Sequence, residues 1–403
     1  MKPFTPYLSD RVRQLAPSAT LAMAARAKAL AAQGHHIISF SVGEPDFDTP
    51  SHIKEAAKKA LDEGKTKYTA VSGIPELKRA IITTLKQNHQ LDYTPEEIIV
   101  TCGAKHALYN AFMTTLNPGD EVIIPAPYWV SYTEQIQLCG AHSRIVMTEE
   151  KNRFLLTASQ LKKAITSKTR MLVLNSPCNP TGSVYHQEEL QPLVDLILEN
   201  NLMLVSDEIY EHLVYGHEKH VSPLSLHPAM KERSILIHGV SKTYAMTGWR
   251  MGYAAGPKSI IEKMDDLQSQ QTTNITSFVQ VGCVEALVGS QESVKKMRDI
   301  FEHRRNVMLA HLKQIPEITC FSPEGAFYLF PNVTAYLQQK NSNGNIDSAH
   351  DLAEYLLTEA HVAVMPGEAF GTPGYLRFSY ATSEENIEEG MQRIKNALEK
   401  LKT

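Results

Sequence analysis

Five cysteines in 403 residues are too few and too scattered to staple the chain. They stand at Cys102, Cys139, Cys178, Cys283 and Cys320, no two form a CxxC pair, and the count is odd. That argues against a disulfide framework and for free thiols in a reducing, cytoplasmic setting. Long apolar runs are also missing. The longest, such as Met171 to Leu174, are strand-length, far below the roughly 20 residues a membrane span needs. Met1 to Asp10 holds one lysine, two prolines and no apolar segment, so it does not read as a signal peptide. Charge of one sign is not in excess: 40 Lys and Arg stand against 44 Asp and Glu, for a net charge of −4. This gives no electrostatic case for nucleic acid or an anionic membrane. No G-x-G-x-x-G occurs, so a nicotinamide-dehydrogenase reading lacks its anchor. No basic helix-turn-helix pattern, internal repeat or low-complexity tract appears either.

What is present is an ordinary globular composition, 43% hydrophobic and 21% charged, long enough for two or three domains. Short β-rich runs alternate with helical patterns. Ile37 to Val42, Glu97 to Thr101, Glu121 to Ile124, Arg170 to Leu174, Leu202 to Ser206 and Ser234 to His238 read as strands. Strand–helix alternation predicts an α/β fold, a mainly parallel sheet sandwiched by helices. Ser18 opens an Ala-rich helix that stops at Gly34. Thr94 to Glu97 and Thr382 to Glu385 carry helix-opening, capping-box patterns. Pro257 to Ile315 reads as long helices, and Ala326 to Phe330, Val362 to Met365 and Tyr375 to Ser379 as short strands. Gln339 to Asp347, polar and Asn-rich, reads as a surface loop. The expected division is a large domain over 48–290 and a smaller α+β domain made of 1–47 with 291–403.

Four clusters fall where strands end, the edge at which parallel sheets gather ligands. Thr101-Cys102-Gly103-Ala104-Lys105 precedes a helix whose free N–H groups suit a phosphate. Asn175 to Gly182 contains two X-Pro steps and forms a fixed, non-helical loop able to hold an amide against a ligand. Asp207-Glu208 leaves open a general base, a helix cap or a partner for a protonated ring nitrogen. No His or Cys stands at metal-ligand spacing beside the pair, so no metal site is expected. Lys242, in the non-basic stretch Ser241 to Arg250, is placed as a partly desolvated, nucleophilic lysine would be. Arg250 offers a planar, permanent charge for a phosphate.

Gly43-Glu44-Pro45-Asp46-Phe47, Asn179-Pro180-Thr181-Gly182, Asp207-Glu208-Ile209-Tyr210, Ser241-Lys242, Gly248-Trp249-Arg250-Met251-Gly252 and Leu376-Arg377-Phe378-Ser379 occur in one order along nearly the whole chain. In that order they resemble the class I aminotransferases of the pyridoxal 5′-phosphate (PLP) fold type I superfamily, in particular the bacterial aspartate and aspartate/prephenate subgroup. The resemblance implies a seven-stranded-type sheet and a homodimer. It makes Lys242 the Schiff-base lysine and proton carrier, and Asp207 the partner of the cofactor's ring nitrogen. Tyr210 and Asn179 would bond the ring's phenolic oxygen, and Trp129 would cover its face. Ser241, Arg250 and the backbone at Gly103, Ala104 and Lys105 would hold the phosphate, joined by Tyr68 from the partner subunit. Arg377 would grip the substrate α-carboxylate, helped by Gly43 and Asn179; Trp129 also borders that pocket.

Lys105, with Ser18 and Thr20, matches the subgroup's pocket for a distal carboxylate. The implied reaction is transfer of the amino group from L-aspartate to 2-oxoglutarate, giving oxaloacetate and L-glutamate, with amino acids and 2-oxo acids as the small-molecule partners. Aromatic, prephenate or kynurenine-type transamination and C–S lysis on the same fold are the alternatives. The chain departs from the subgroup in having Ala104 where a second Gly is frequent and Cys178 where an Asn is frequent.

Overall fold

A computed structural model describes residues 7–16, 19–216, 219–341 and 344–401. Seven strands form the central sheet: β1 (Ile98–Thr101), β2 (Glu121–Ala126), β3 (His142–Met147), β4 (Thr169–Asn175), β5 (Met203–Asp207), β6 (Ser234–Gly239) and β7 (Gly252–Ala255). Their spatial order is β1-β7-β6-β5-β4-β2-β3. Only β7 runs against the rest: it pairs antiparallel with both β1 and β6, which restores β1 to the common direction. The carboxyl ends of β1, β4, β5 and β6 therefore share one edge.

Side-chain alternation sorts the strands into two cores. Val100, Leu172, Leu174, Leu204 and Leu236 face one side, packing on the helices Ser51–Asp62, Pro75–His89, Gln187–Glu199 and Ser277–Val288. Ile99, Met171, Val173, Val205, Ile235 and Ile237 face the other, against Ala104–Thr115, Ser131–Leu138 and Lys258–Ser269. Covered on both faces, these strands lose the polar/apolar alternation of a half-exposed sheet and read as continuous apolar runs.

A third core lies C-terminal. The helices Glu292–Leu312, Ala349–Glu359 and Glu384–Leu401 cover a three-stranded antiparallel sheet with Leu376–Ser379 at its centre. N-terminal Met23, Ala27, Ile38 and Phe40 join this core, and Ile38–Ser39 pairs in parallel with Val362–Ala363. Among the described residues no helix is long and apolar enough to cross a membrane.

Several expectations need correction. Gln339 to Asp347 is not a loop: Gln339–Asn341 and Gly344–Ile346 form an antiparallel pair, whose backbone bonding needs no apolar face beyond the buried Ile346. The Thr94 capping box exists, with Glu97 Oε2 accepting from the Thr94 amide at 2.7 Å, but it opens only a single 3₁₀ turn. The β-branched run that follows is captured by pairing with β7. The strand expected over Ile37 to Val42 shrinks to Ile38–Ser39. Strand β3 was missed because it is a largely exposed edge with polar residues, and β7 because its Gly-Tyr-Ala-Ala sequence has no β-branched residue.

Candidate active site

The shared edge of β1, β4, β5 and β6 opens on a cavity of about 460 Å³. Its wall includes Gly43, Lys105, Trp129, Asn179, Asp207, Tyr210, Ser241, Lys242, Arg250 and Arg377. Most sequence-predicted residues thus converge on one cavity from widely separated segments, from Gly43 to Arg377.

Lys242 lies three residues beyond β6. Its Nζ donates to the Gly43 carbonyl at 2.6 Å. Burial pulls its pKa down to about 8; nearby Glu44 opposes the fall, while Arg377 and Arg250 add to it. A primary amine so placed is substantially neutral at mildly alkaline pH and therefore nucleophilic.

Asp207 is the last residue of β5, and burial raises its carboxyl to about 6. The Tyr132 hydroxyl, donating to Oδ2 at 2.6 Å, and the Ile209 amide, donating to Oδ1 at 3.4 Å, oppose that rise. No helix follows Asp207, so the helix-cap alternative falls and Tyr210 sits in a turn. The Tyr210 hydroxyl pairs with that of Tyr328 at 2.9 Å.

The loop after β4 is held by its own asparagine: Asn175 Oδ1 accepts from the Asn179 amide at 2.8 Å, and its Nδ2 donates to the Asp207 carbonyl at 2.9 Å. Both X-Pro bonds of the loop, Ser176-Pro177 and Asn179-Pro180, are cis. Arg377, 3% exposed, donates through Nη1 to Asn179 Oδ1 at 2.9 Å and through Nη2 to the Ser41 carbonyl at 2.7 Å. Its guanidinium lies over the rings of Tyr328 and Phe370, 4.5 and 4.9 Å from their centroids. Nε is buried without a partner. A cation this well enclosed, bonded only to neutral acceptors, is a ready receptor for a carboxylate.

The helix Ala104–Thr115 also begins at this cavity, and the Ala104 and Lys105 amides of its first turn have no intrahelical acceptor. Arg250, with φ +57°, donates to the Thr247 carbonyl at 2.9 Å. Gly103 is required here. Its φ is +81°, and a Cβ on it would come within 2.5 Å of Arg250 Nη2. Lys105 Nζ lies 4.9 Å from the Trp129 ring centroid, and burial followed by the Arg250 charge lowers its pKa.

Residues 35–394 match the family described as aminotransferase class I and II. The chain belongs to that family. It is 49% identical to the aspartate aminotransferase of Geobacillus stearothermophilus, over 97% of this chain and 99% of that one. It is 47% identical to a probable aspartate/prephenate aminotransferase of Rhizobium leguminosarum, over 96% and 98%. The solved aspartate aminotransferase of Rhizobium meliloti superposes with a TM-score of 0.95 at 42% identity, over 99% and 100% of the two chains. That of Thermus thermophilus, with maleate, gives 0.92 at 42%, over 98% and 100%.

The aminotransferase cofactor is PLP, and the cavity fits it: a buried amine, a buried carboxylate, paired phenols, and a helix start beside an arginine, with a glycine where a side chain would block the approach. Three predicted residues stand apart. Tyr68 is 88% exposed and does not border its own chain's cavity. Ser18 lies outside the described residues, and Thr20 is described only as part of the helix Ala19–Ala32. Conversely, Tyr132, Asn175, Tyr328, Ser41 and Glu44 form contacts that the sequence reading did not select. Only Asn175 and Glu44 carried a signal, as members of quoted motifs; Tyr132 and Tyr328 are recognisable only once the sheet brings them in.

Proposed function

We propose that this aminotransferase exchanges the amino group of L-aspartate with 2-oxoglutarate, giving oxaloacetate and L-glutamate. The observation that carries the reading is the charge of the cavity. Four cationic side chains, Lys105, Lys242, Arg250 and Arg377, border it against two carboxylates, Glu44 and Asp207. The aldehyde site uses Lys242 and the phosphate site Arg250. Arg377 and Lys105 then remain for the two carboxylates of a dicarboxylic substrate, and an apolar side chain would leave the Lys105 ammonium unanswered.

PLP, when bound, supplies an electron-poor ring that stabilises the charge left as the substrate Cα–H bond breaks. The chain's own residues do the rest. Arg377, preset by Asn179 and Ser41, fixes the α-carboxylate and so the direction of the Cα–H bond. The Lys242 amine would hold the cofactor's aldehyde, and its Nζ would be the group that takes and returns the substrate α-proton. Asp207, held by Tyr132, would keep the ring nitrogen protonated. Tyr210 and Asn179 would serve the phenolic oxygen, and Trp129 would cover the ring. Ser241, Arg250 and the backbone at Gly103, Ala104 and Lys105 would take the phosphate. Gly43 assists at the carboxylate, Ser18 and Thr20 border the distal pocket, and Tyr68 acts in a neighbouring subunit's site. A cytoplasmic homodimer with a large domain over 48–290 and a small one from 1–47 and 291–403 suits five free thiols and a phenol exposed outside its own cavity.

The test is the absorption spectrum of the yellow holoenzyme before and after L-aspartate, followed by kinetics of Lys105→Ala. Loss of a charge-assisted bond worth about 1.5–3 kcal/mol predicts a fall of roughly ten- to a hundredfold in kcat/KM for aspartate, with little change for L-alanine. An unchanged aspartate value would sink the assignment of Lys105. The Rhizobium leguminosarum relative is named for prephenate as well. Prephenate is likewise dicarboxylic, so glutamate-dependent prephenate transamination is the second assay, and it should show the same dependence on Lys105.

A further inference from the structure

Glu208 and Glu211 follow Asp207, yet their side chains belong to a different environment from the active-site cavity. Both are buried, 0% and 5% exposed, and among the described residues their ion pairs come only from histidines. His89 Nε2 lies 2.5 Å from Glu211 Oε2, and His220 Nε2 lies 2.6 Å from Glu208 Oε2. These imidazoles are themselves 5% and 4% exposed. One potential ligand atom from each of the four residues lies within 4.8 Å of all the others. Three separate chain segments supply them: the last residue of the helix Pro75–His89, the turns after β5, and the strap containing His220.

The other carboxylate oxygens are already committed. Glu208 Oε1 accepts from the Ser206 and Ser222 hydroxyls at 2.7 and 2.9 Å. Glu211 Oε1 has His212 Nε2 at 2.8 Å and accepts from Asn88 Nδ2 at 3.3 Å. This is how a metal centre's supporting groups orient its ligands. A further imidazole stands on the outer side of the cluster, with His238 Nε2 3.4 Å from Glu211 Oε1.

We infer that His89, Glu208, Glu211 and His220 form a buried four-ligand site for a divalent metal ion of the zinc class. Two neutral imidazoles and two carboxylates suit such an ion in type and number, and its charge balances the two carboxylates. Tetrahedral bonds of about 2.0–2.2 Å place ligand atoms about 3.3–3.6 Å apart. The two short His–Glu contacts would open and the wider separations close. With all four positions taken by protein, the site is structural: it ties the end of the Pro75–His89 helix and the His220 strap to the backbone immediately after Asp207. The sequence reading saw no metal because local spacing does not reveal it; His89 lies 122 residues from Glu211.

The experiment uses the full-length holoenzyme, stripped with a chelator, dialysed against zinc chloride or cobalt(II) chloride and freed of excess ion. Expected are one retained metal per chain, a raised Tm, and a cobalt spectrum of tetrahedral type that is lost in His89→Gln/His220→Gln. Crystals of the zinc-loaded wild type, which do not depend on a variant folding, should show an anomalous peak between His89 and His220. No retained metal, or a peak only elsewhere, overturns the inference.

Discussion

Lys242 and Asp207 show how much a single position owes to its surroundings. The Lys242 amine is half neutral near pH 8 because burial outweighs the Glu44 charge. Below that pH it is an ammonium and unreactive; above it the nucleophilic form dominates. Pulse-labelling of the cofactor-free chain with an amine-selective reagent, read by peptide mass spectrometry, should give an apparent pKa near 8 for Lys242, while solvated lysines titrate near their usual value of roughly 10.4. Tyr132 is a positioning residue for Asp207. Removing its hydroxyl in Tyr132→Phe leaves the carboxylate less stabilised, so its pKa rises and its ionised fraction is lost at higher pH. The acid limb of kcat/KM should therefore move to higher pH, with a fall of roughly tenfold at neutrality, since a hydrogen bond to a charged group is worth about 1.5–3 kcal/mol. A uniform fall with an unmoved limb would show that the phenol acts only in packing.

The elements matter through where they stop. Strands β1, β4, β5 and β6 end on one edge because β7 is the single reversed strand between β1 and β6. Its small residues let that reversal pack closely: a Cβ at Gly252 would strike the backbone nitrogen of Ala104. Gly252→Ala should force the start of the Ala104–Thr115 helix outward, costing about 1–3 kcal/mol as overpacking does. Because the same amides are proposed to hold the phosphate, PLP affinity should fall together with Tm; a lowered Tm with unchanged PLP affinity would separate the helix start from that site. The sequence displayed most of these elements, since buried parallel strands are dense in Val, Ile and Leu. It hid β3 and β7, an exposed polar edge and a strand of small residues, because neither carries an apolar β-branched pattern.

At the level of the whole chain, the cavity draws on the core of residues 53–294 for Lys242 and Asp207 and on the C-terminal core for Arg377. Tyr68, 88% exposed, belongs to neither core and does not border the cavity. The holoenzyme should sediment at twice the 45.0 kDa chain mass, and Tyr68→Phe should weaken PLP retention about five- to tenfold, the worth of roughly 1–1.5 kcal/mol for one hydrogen bond. A monomer with full activity would remove the shared-site reading. The sequence by itself determined the alternating architecture and the chemistry at the strand ends, because periodicity and turn residues act over a few neighbouring positions. The tertiary structure alone decided that Tyr132 supports Asp207, that Ser41 and Asn179 preset Arg377, and that His89 meets Glu211. Those meetings depend on strand order and helix placement, which bring together residues whose separation along the chain carries no trace of their contact.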